Sequence, residues 1–256
     1  MYEFYSFENR VWYNKTAKDL INFAIIIVNC IKIYLPIQSL VMSYRILTFF
    51  YLFFLIAANC MAQKPFTEGV VVYNVKLESA DHKEYKGVYT FTFKGPHIKK
   101  ELKLENGFSD IVIIDCGMNT VYSLQSRDGK KYSIQLSMAD MLKRQQPFMG
   151  YTIKNEERRE KKIAGYAVYK GNVNYQNGSN AEIYYSKEWY PAQPVTFERF
   201  PDTKFMPMHY AYTDEHGIAM EFDAVKVELS PVENAVFRIP ADYKVISYDE
   251  YKQMSK

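Results

Sequence analysis

Three features of the sequence predict a mainly β protein, a single antiparallel sheet with few short helices. Apolar and polar residues alternate with a period of two, turn signals recur about every 8 to 12 residues, and only one clear segment carries helix caps. The alternation begins at Val71, Tyr73, Val75 and Leu77, which share one face of an extended segment, with Asn74, Lys76 and Glu78 on the other. Tyr89, Phe91 and Phe93 then alternate with Val88, Thr90, Thr92 and Lys94 until Gly95-Pro96 breaks the run. In the third segment Ile98, Lys100, Leu102 and Leu104 face one way and Lys99, Glu101, Lys103 and Glu105 the other, so one face of this sheet meets water. Asn106-Gly107 is a hairpin turn signal.

From Asp110 to Gly117 the chain is apolar on both parities, as in a strand covered on both sides, with Cys116 at its end as a small hydrophobe. Thr120 to Gln125 and Lys131 to Leu136 flank the turn Arg127-Asp128-Gly129 and extend the meander. Ser137 then caps a short helix through Gln146. Asp140 completes a capping box, Lys143 and Arg144 suit the C-terminal end, Pro147 follows, and Met138, Met141 and Leu142 form an apolar side able to cover the sheet. The mixed charges of Glu156 to Lys162 cancel, which fits a solvated connection or an edge better than a binding patch.

Further strands lead out of Ile163-Ala164-Gly165-Tyr166 and return through Ala181 to Tyr185. Between them Gln176-Asn177-Gly178-Ser179 reads as a turn rather than a glycosylation acceptor. Trp189 to Pro194 reads as a loop with two prolines. The last hairpin pairs Met206 to Ala211 with Ile218 to Phe222, and its apolar parity slips near Asp223-Ala224-Val225, where Val225, Val227 and Leu229 take over, as a bulge would cause. Phe237-Arg238-Ile239-Pro240 and a polar tail from Asp249, a frayed helical turn, close the chain.

The N-terminal third states a destination. In residues 42 to 62 Arg45 supplies a positive flank, Ile46 to Ala58 an apolar run, and Cys60-Met61-Ala62 the small-residue pattern before a cut at Gln63. The run is shorter than the about 20 apolar residues of a membrane span, which favours cleavage over anchoring. Lipidation at Cys60 is the less favoured alternative, because Asn59 stands where a small residue is expected. Residues 1 to 41 are either a mis-assigned extension, with translation starting at Met42, or a membrane segment. The second reading is handicapped by Lys32, since a mid-span lysine costs on the order of 3 kcal/mol on insertion scales. Residues 63 to 256 are then a single domain of about 190 residues, large enough to bury a core.

Composition narrows the function classes. The chain carries 32 Lys and Arg against 29 Asp and Glu; five of the basic and three of the acidic residues precede Gln63, leaving 27 against 26. No basic excess remains to neutralise a nucleic acid backbone. Two of the three cysteines, Cys30 and Cys60, also precede Gln63, so Cys116 has no partner for a disulfide within the exported chain.

No catalytic, cofactor or metal constellation stands out. His209 and His216 are not at the two- or four-residue spacing that sets ligands side by side, and His82 and His216 sit in polar turns. A Gly-x-Ser-x-Gly elbow and a phosphate-binding glycine loop are absent, and a lone cysteine after an apolar strand is usually inert. The aromatic residues carry the one functional candidate, an apolar groove built from Val71, Tyr73, Val75, Tyr89, Phe91 and Phe93 and suited to an acyl chain or greasy peptide if the helix covers it incompletely.

An ordered set of motifs carries a resemblance. It comprises Glu68-Gly69-Val70-Val71-Val72-Tyr73, Val112-Ile113-Ile114-Asp115, Lys162-Ile163-Ala164-Gly165-Tyr166, Ile183-Tyr184-Tyr185-Ser186-Lys187-Glu188 and Phe237-Arg238-Ile239-Pro240-Ala241-Asp242-Tyr243-Lys244. With these the chain resembles a family of exported Bacteroidota proteins, a domain of unknown function grouped with the LolA/LolB-like lipoprotein carriers. Asp242 stands where that family usually has glycine. The resemblance implies a strongly curved antiparallel sheet, a LolA-like half-barrel with an apolar concave side. It implies no enzyme activity, no cofactor and no functional residues to carry over. The expected protein is a non-enzymatic periplasmic or outer-membrane-associated binder of a lipid or lipoprotein acyl group. The alternative is a structural or interaction module of the cell envelope with a fully packed core and no small-molecule ligand, its partner an envelope protein.

Overall fold

The computed structural model describes Ile25 and residues 63–127, 129–214 and 216–254. The chain divides into two units, Met1–Met61 and Ala62–Lys256, and the architecture below is that of the second. Apart from Ile25, the expected extension, the signal segment, Cys60 and Ala62 lie outside the described residues. Among the described residues no helix is long and apolar enough to cross a membrane.

The first half is a meander: β1 (Lys64–Phe66), β2 (Glu68–Glu78), β3 (Glu84–Lys94), β4 (His97–Leu104), β5 (Ser109–Asp115), β6 (Thr120–Arg127) and β7 (Lys130–Ser137). Helix α1 (Met138–Gln145) and a 3-10 turn (Gln146–Phe148) lead to the second half. There the strands are β8 (Thr152–Ile163), β9 (Tyr166–Asn174), β10 (Asn180–Ser186), β11 (Trp189–Pro191), β12 (Met206–Thr213) and β13 (Ala219–Glu228). A 3-10 turn (Asn234–Phe237), β14 (Lys244–Ser247) and α2 (Tyr248–Met254) end the described chain.

Twelve strands form one open sheet in the order β14-β7-β6-β5-β4-β3-β2-β13-β12-β10-β9-β8. The two meanders join where β2 pairs antiparallel with β13, so strands far apart in sequence meet at the middle of the sheet. The sheet is mixed rather than wholly antiparallel, because β14 pairs parallel with β7, and β1 and β11 form a separate parallel pair. Trp189 to Pro191, expected in a loop, supplies that second strand.

The alternation read in β2 is the burial observed: Val71, Tyr73 and Val75 are buried while Asn74 and Lys76 are exposed. We call their side of the sheet the inner face. On the outer face the charged side of β4 is internally paired, with Glu101 accepting from Lys99 at 3.2 Å and Lys103 at 2.7 Å. Gly69 closes the crossing of β2 and β13. Its φ is +141°, and a Cβ there would lie 2.1 Å from the Glu228 carbonyl oxygen and 2.9 Å from Phe66, so only glycine fits. Ala164 and Gly165 both take positive φ in the two-residue turn from β8 to β9, as a tight hairpin requires.

The capping box of α1 is present: Ser137 Oγ accepts from the Asp140 backbone N–H while the Asp140 carboxylate accepts from the Ser137 N–H. Its buried side differs from expectation. Met138 and Met141 pack on the core, but Leu142 is 48 % exposed, and Gln145, a turn further along, is 1 % exposed in its place. The slip in β13 is a bulge. Ala224 pairs with Tyr73 and Lys226 with Val72, leaving Val225 unpaired and 47 % exposed; of the three residues expected to take over, only Val227 packs on the core, Leu229 being 59 % exposed.

Each face carries a covering segment. On the outer face the chain from β13 to β14 passes β2 and β3, then β4, then β7. The Val232 N–H donates to Glu68 Oε1 at 2.9 Å and Lys94 Nζ donates to the Val232 carbonyl. Next the Phe237 ring lies 5.6 Å from that of His97, and Lys131 pairs with Asp242 at 2.7 Å. At the β14 end Tyr132, Ile134 and Ile246 make a small cluster closed by Tyr251 of α2. The inner face is covered by α1 and by the connection 192–205 between β11 and β12.

Candidate functional site

All six residues of the expected groove come together on the inner face. Tyr73 pairs with Tyr89 and Val71 with Phe91 across β2 and β3, with Val75 two residues further along β2 and Phe93 two further along β3. The rings continue one another: Tyr89 lies 4.5 Å from Phe91, Tyr73 5.6 Å from Phe91, and Phe66 5.1 Å from Phe93. Strands β12 and β13 extend the patch through Tyr210 and Phe222, stacked at 4.6 Å.

This surface is not open. Val71 and Tyr73 are 0 % exposed, Val75 and Phe91 2 %, and Phe93 3 %, while Tyr89 is half-buried. A side chain with almost no exposure has no space wide enough for a water molecule against it, so the patch is filled. Its filling is the chain itself. In the connection 192–205, Val195, Thr196, Phe197, Phe200 and Phe205 are buried, with Phe197 5.0 Å from Phe91 and Phe200 5.3 Å from Tyr210.

The connection has neither helix nor strand, so its own polar groups need partners. Internally, Thr196 Oγ1 donates to the Gln193 carbonyl at 2.7 Å and the Asp202 N–H to the Pro194 carbonyl at 3.0 Å. The Phe197 carbonyl accepts from Gln145 Nε2 at 3.3 Å, which explains why α1 buries a glutamine where an apolar residue was expected. The Arg199 carbonyl accepts from the Tyr175 hydroxyl at 3.1 Å, and the Arg199 guanidinium lies between the rings of Phe148 and Tyr212, 4.2 and 4.0 Å from their centroids. At the start of β12 the Tyr73 hydroxyl donates to the Pro207 carbonyl at 2.7 Å.

Lys100 is the odd member of this face. It shares the parity of Ile98 and Leu102 and is 7 % exposed, with Nζ 3.4 Å from the Val195 carbonyl and 5.8 Å from the Phe91 centroid. Burial pulls its amine from the ordinary 10.5 down to about 8, opposed by the charge of Glu198. The alternation placed Lys100 inward, yet nothing local shows that the segment 192–205 will seal it there.

The remaining candidates lie elsewhere. Gln63 is exposed just before β1. Cys116 is half-buried, and burial with the neighbouring Asp115 pushes its thiol up to about 11, which keeps it protonated and a poor nucleophile. Open space of about 570 Å³ lies at the β6–β7 turn, lined by Gly129, Lys130, Lys131, Tyr132, Asp242 and Lys244, away from the aromatic patch.

An open twelve-stranded sheet whose apolar face is filled by its own chain defines the structural class. No family model matches the sequence, and no curated protein matches it either. Among solved structures the chain is similar to MucB, at 11% identity and a TM-score of 0.40 over 74% of this chain and 63% of MucB. The Pseudomonas aeruginosa MucA/MucB complex gives 11% and 0.39 over 71% and 59%. A LolA superfamily protein from Nitrosomonas europaea gives 14% and 0.34 over 69% and 92%. The match thus spans less than two thirds of the length of the MucB chains.

Proposed function

We propose that this chain is a non-enzymatic, exported binding module of the cell envelope that meets a protein partner through its surface, its apolar face being filled by residues 192–205. The observation that carries the reading is the near-zero exposure of Val71, Tyr73, Val75, Phe91 and Phe93 beneath Phe197 and Phe200. Export rests on the sequence: cleavage after Ala62 releases a nearly neutral domain from Gln63 onward, with residues 1 to 41 as a mis-assigned extension. A thiol held protonated at Cys116 supports a binding role over catalysis.

Protein purified from its native envelope tests this reading in two ways. N-terminal sequencing is expected to begin at Gln63, whereas an acylated Cys60 at the N-terminus establishes the lipidated form. Organic extraction and native mass spectrometry are expected to find no stoichiometric lipid, and a fluorescent fatty acid is expected not to bind.

A second reading, an acyl-group binder whose ligand displaces the connection, is favoured by one observation. Segment 192–205 adds no strand to the sheet and is held chiefly by side chains. If Phe200→Ala gains saturable fatty-acid binding that the wild type lacks, the groove is real and self-occluded.

A further inference from the structure

The outer face carries a second arrangement that the inner face does not explain. His209 on β12 stands directly opposite Asp223 on β13, and Glu221 lies two residues before Asp223 on the same face. His209 Nδ1 is 2.6 Å from Asp223 Oδ1, and one ligand atom from each of the three residues lies within 4.8 Å of the other two. Ala211 is the residue opposite Glu221, so that position on β12 contributes only a methyl group beside the carboxylate. All three side chains are half-buried.

The arrangement is distinct among the described residues. His82 pairs with Glu78 at 2.6 Å and His97 with Asp115 at 3.5 Å, each a single imidazole with a single carboxylate. Among the described residues only the His209 group brings three ligand-bearing residues together. His216, the other histidine of this hairpin, is not part of it.

We propose that His209, Glu221 and Asp223 bind a divalent first-row transition cation, with Zn²⁺ the best match. One imidazole nitrogen and two carboxylate oxygens suit Zn²⁺, which takes such ligands at about 2.0–2.2 Å in a tetrahedron, leaving the fourth position to water or a partner's side chain. Ligand atoms around such an ion stand about 3.3 Å apart, so the His209–Asp223 pair opens slightly and Glu221 closes in, movements within reach of side-chain rotation. Lys76 is the built-in competitor: its ammonium lies 3.3 Å from Glu221 Oε2, and its side chain is 62% exposed, so it can swing away.

Calorimetric titration of the full exported chain with Zn²⁺ alone tests the site. The expected result is one ion per chain, with affinity lowered more than about tenfold in both His209→Ala and Asp223→Asn. Lys76→Met is expected to bind at least as tightly as the wild type. Co²⁺ should give visible absorption bands that disappear in His209→Ala. Asp223→Asn keeps the side chain's shape and carries the test if His209→Ala fails to fold. Absence of Zn²⁺ binding by the wild type, undiminished affinity in Asp223→Asn, or weakened binding in Lys76→Met would each overturn the assignment.

Discussion

Two aperiodic segments cover the two faces of this sheet, and they do so by different physics. Residues 192–205 lie on the inner face with Val195, Phe197, Phe200 and Phe205 buried, and the segment's carbonyls accept from Gln145, Tyr175 and Lys100. Residues 229–243 cross the outer face with one buried apolar anchor, Val232, while Leu229 and Val236 remain exposed. Their attachments are charged or polar, through Glu68, Lys94 and the Lys131–Asp242 pair. Glu68 is held below the usual carboxylate range chiefly by the Val232 N–H it accepts. The inner cover is part of the hydrophobic core; the outer one is a strap on a surface that water already satisfies. Removing apolar contacts should therefore damage the first far more than removing charges damages the second.

The largest expected effect is Phe200→Ala. This ring packs at 6.3, 6.0 and 5.3 Å against Tyr151, Phe205 and Tyr210, and its loss should cost about 3–5 kcal/mol in denaturant unfolding. A loss below 1 kcal/mol, on the scale of a surface substitution, would remove the distinction between the two covers.

Lys100→Met comes next, with the opposite sign. An amine lowered from 10.5 to about 8 marks a buried ammonium whose cost at neutral pH is on the order of 3 kcal/mol. Above pH 8 the unfolded chain binds a proton that the folded amine has released, so wild-type stability should rise from pH 8 to about pH 9, where the Cys116 thiol, raised by burial from 9 to about 11, begins to oppose it. Above about pH 10 the unfolded phenols ionise, while burial keeps Tyr73 and Tyr210 protonated in the fold, and stability should fall again. Lys100→Met should be more stable than wild type at pH 7 and lack the rise, as read by thermal unfolding across that range. A flat wild-type profile would show the amine to be solvated.

Tyr73→Phe should cost about 1–2 kcal/mol by leaving the Pro207 carbonyl without its donor. At the small end, Lys131→Ala should leave the melting temperature unchanged, because Lys131 and Asp242 are both exposed.

How much of this was legible in the sequence follows from the same contrast. Periodicity gave β2 to β7, the turns, the capping box of α1 and the inward set Val71, Tyr73, Phe91 and Phe93, because burial in a strand is written in alternation. Residues 192–205 have no period, and their role depends on rings from β3, β10 and β12 that the fold brings to them. Strand β14 is short and pairs parallel with a strand over a hundred residues earlier, so nothing local marks it. The His209–Asp223 pair is legible in the hairpin, whose turn near Asp214 and Gly217 sets His209 opposite Asp223, whereas histidine spacing alone points only to His216.

Residues 192–205 fill the inner face as part of the core, with Phe197 and Phe200 buried. Hydrogen exchange followed by mass spectrometry, comparing peptides from 195–205 with peptides from 229–243, tests this packing most directly. Amides around Phe197 and Phe200 are expected to exchange only with global unfolding, as those of β3 do, while the outer strap exchanges through local opening. Exchange at 195–205 as fast as in the strap, with β3 still protected, would contradict it and show the aromatic face to be open in solution.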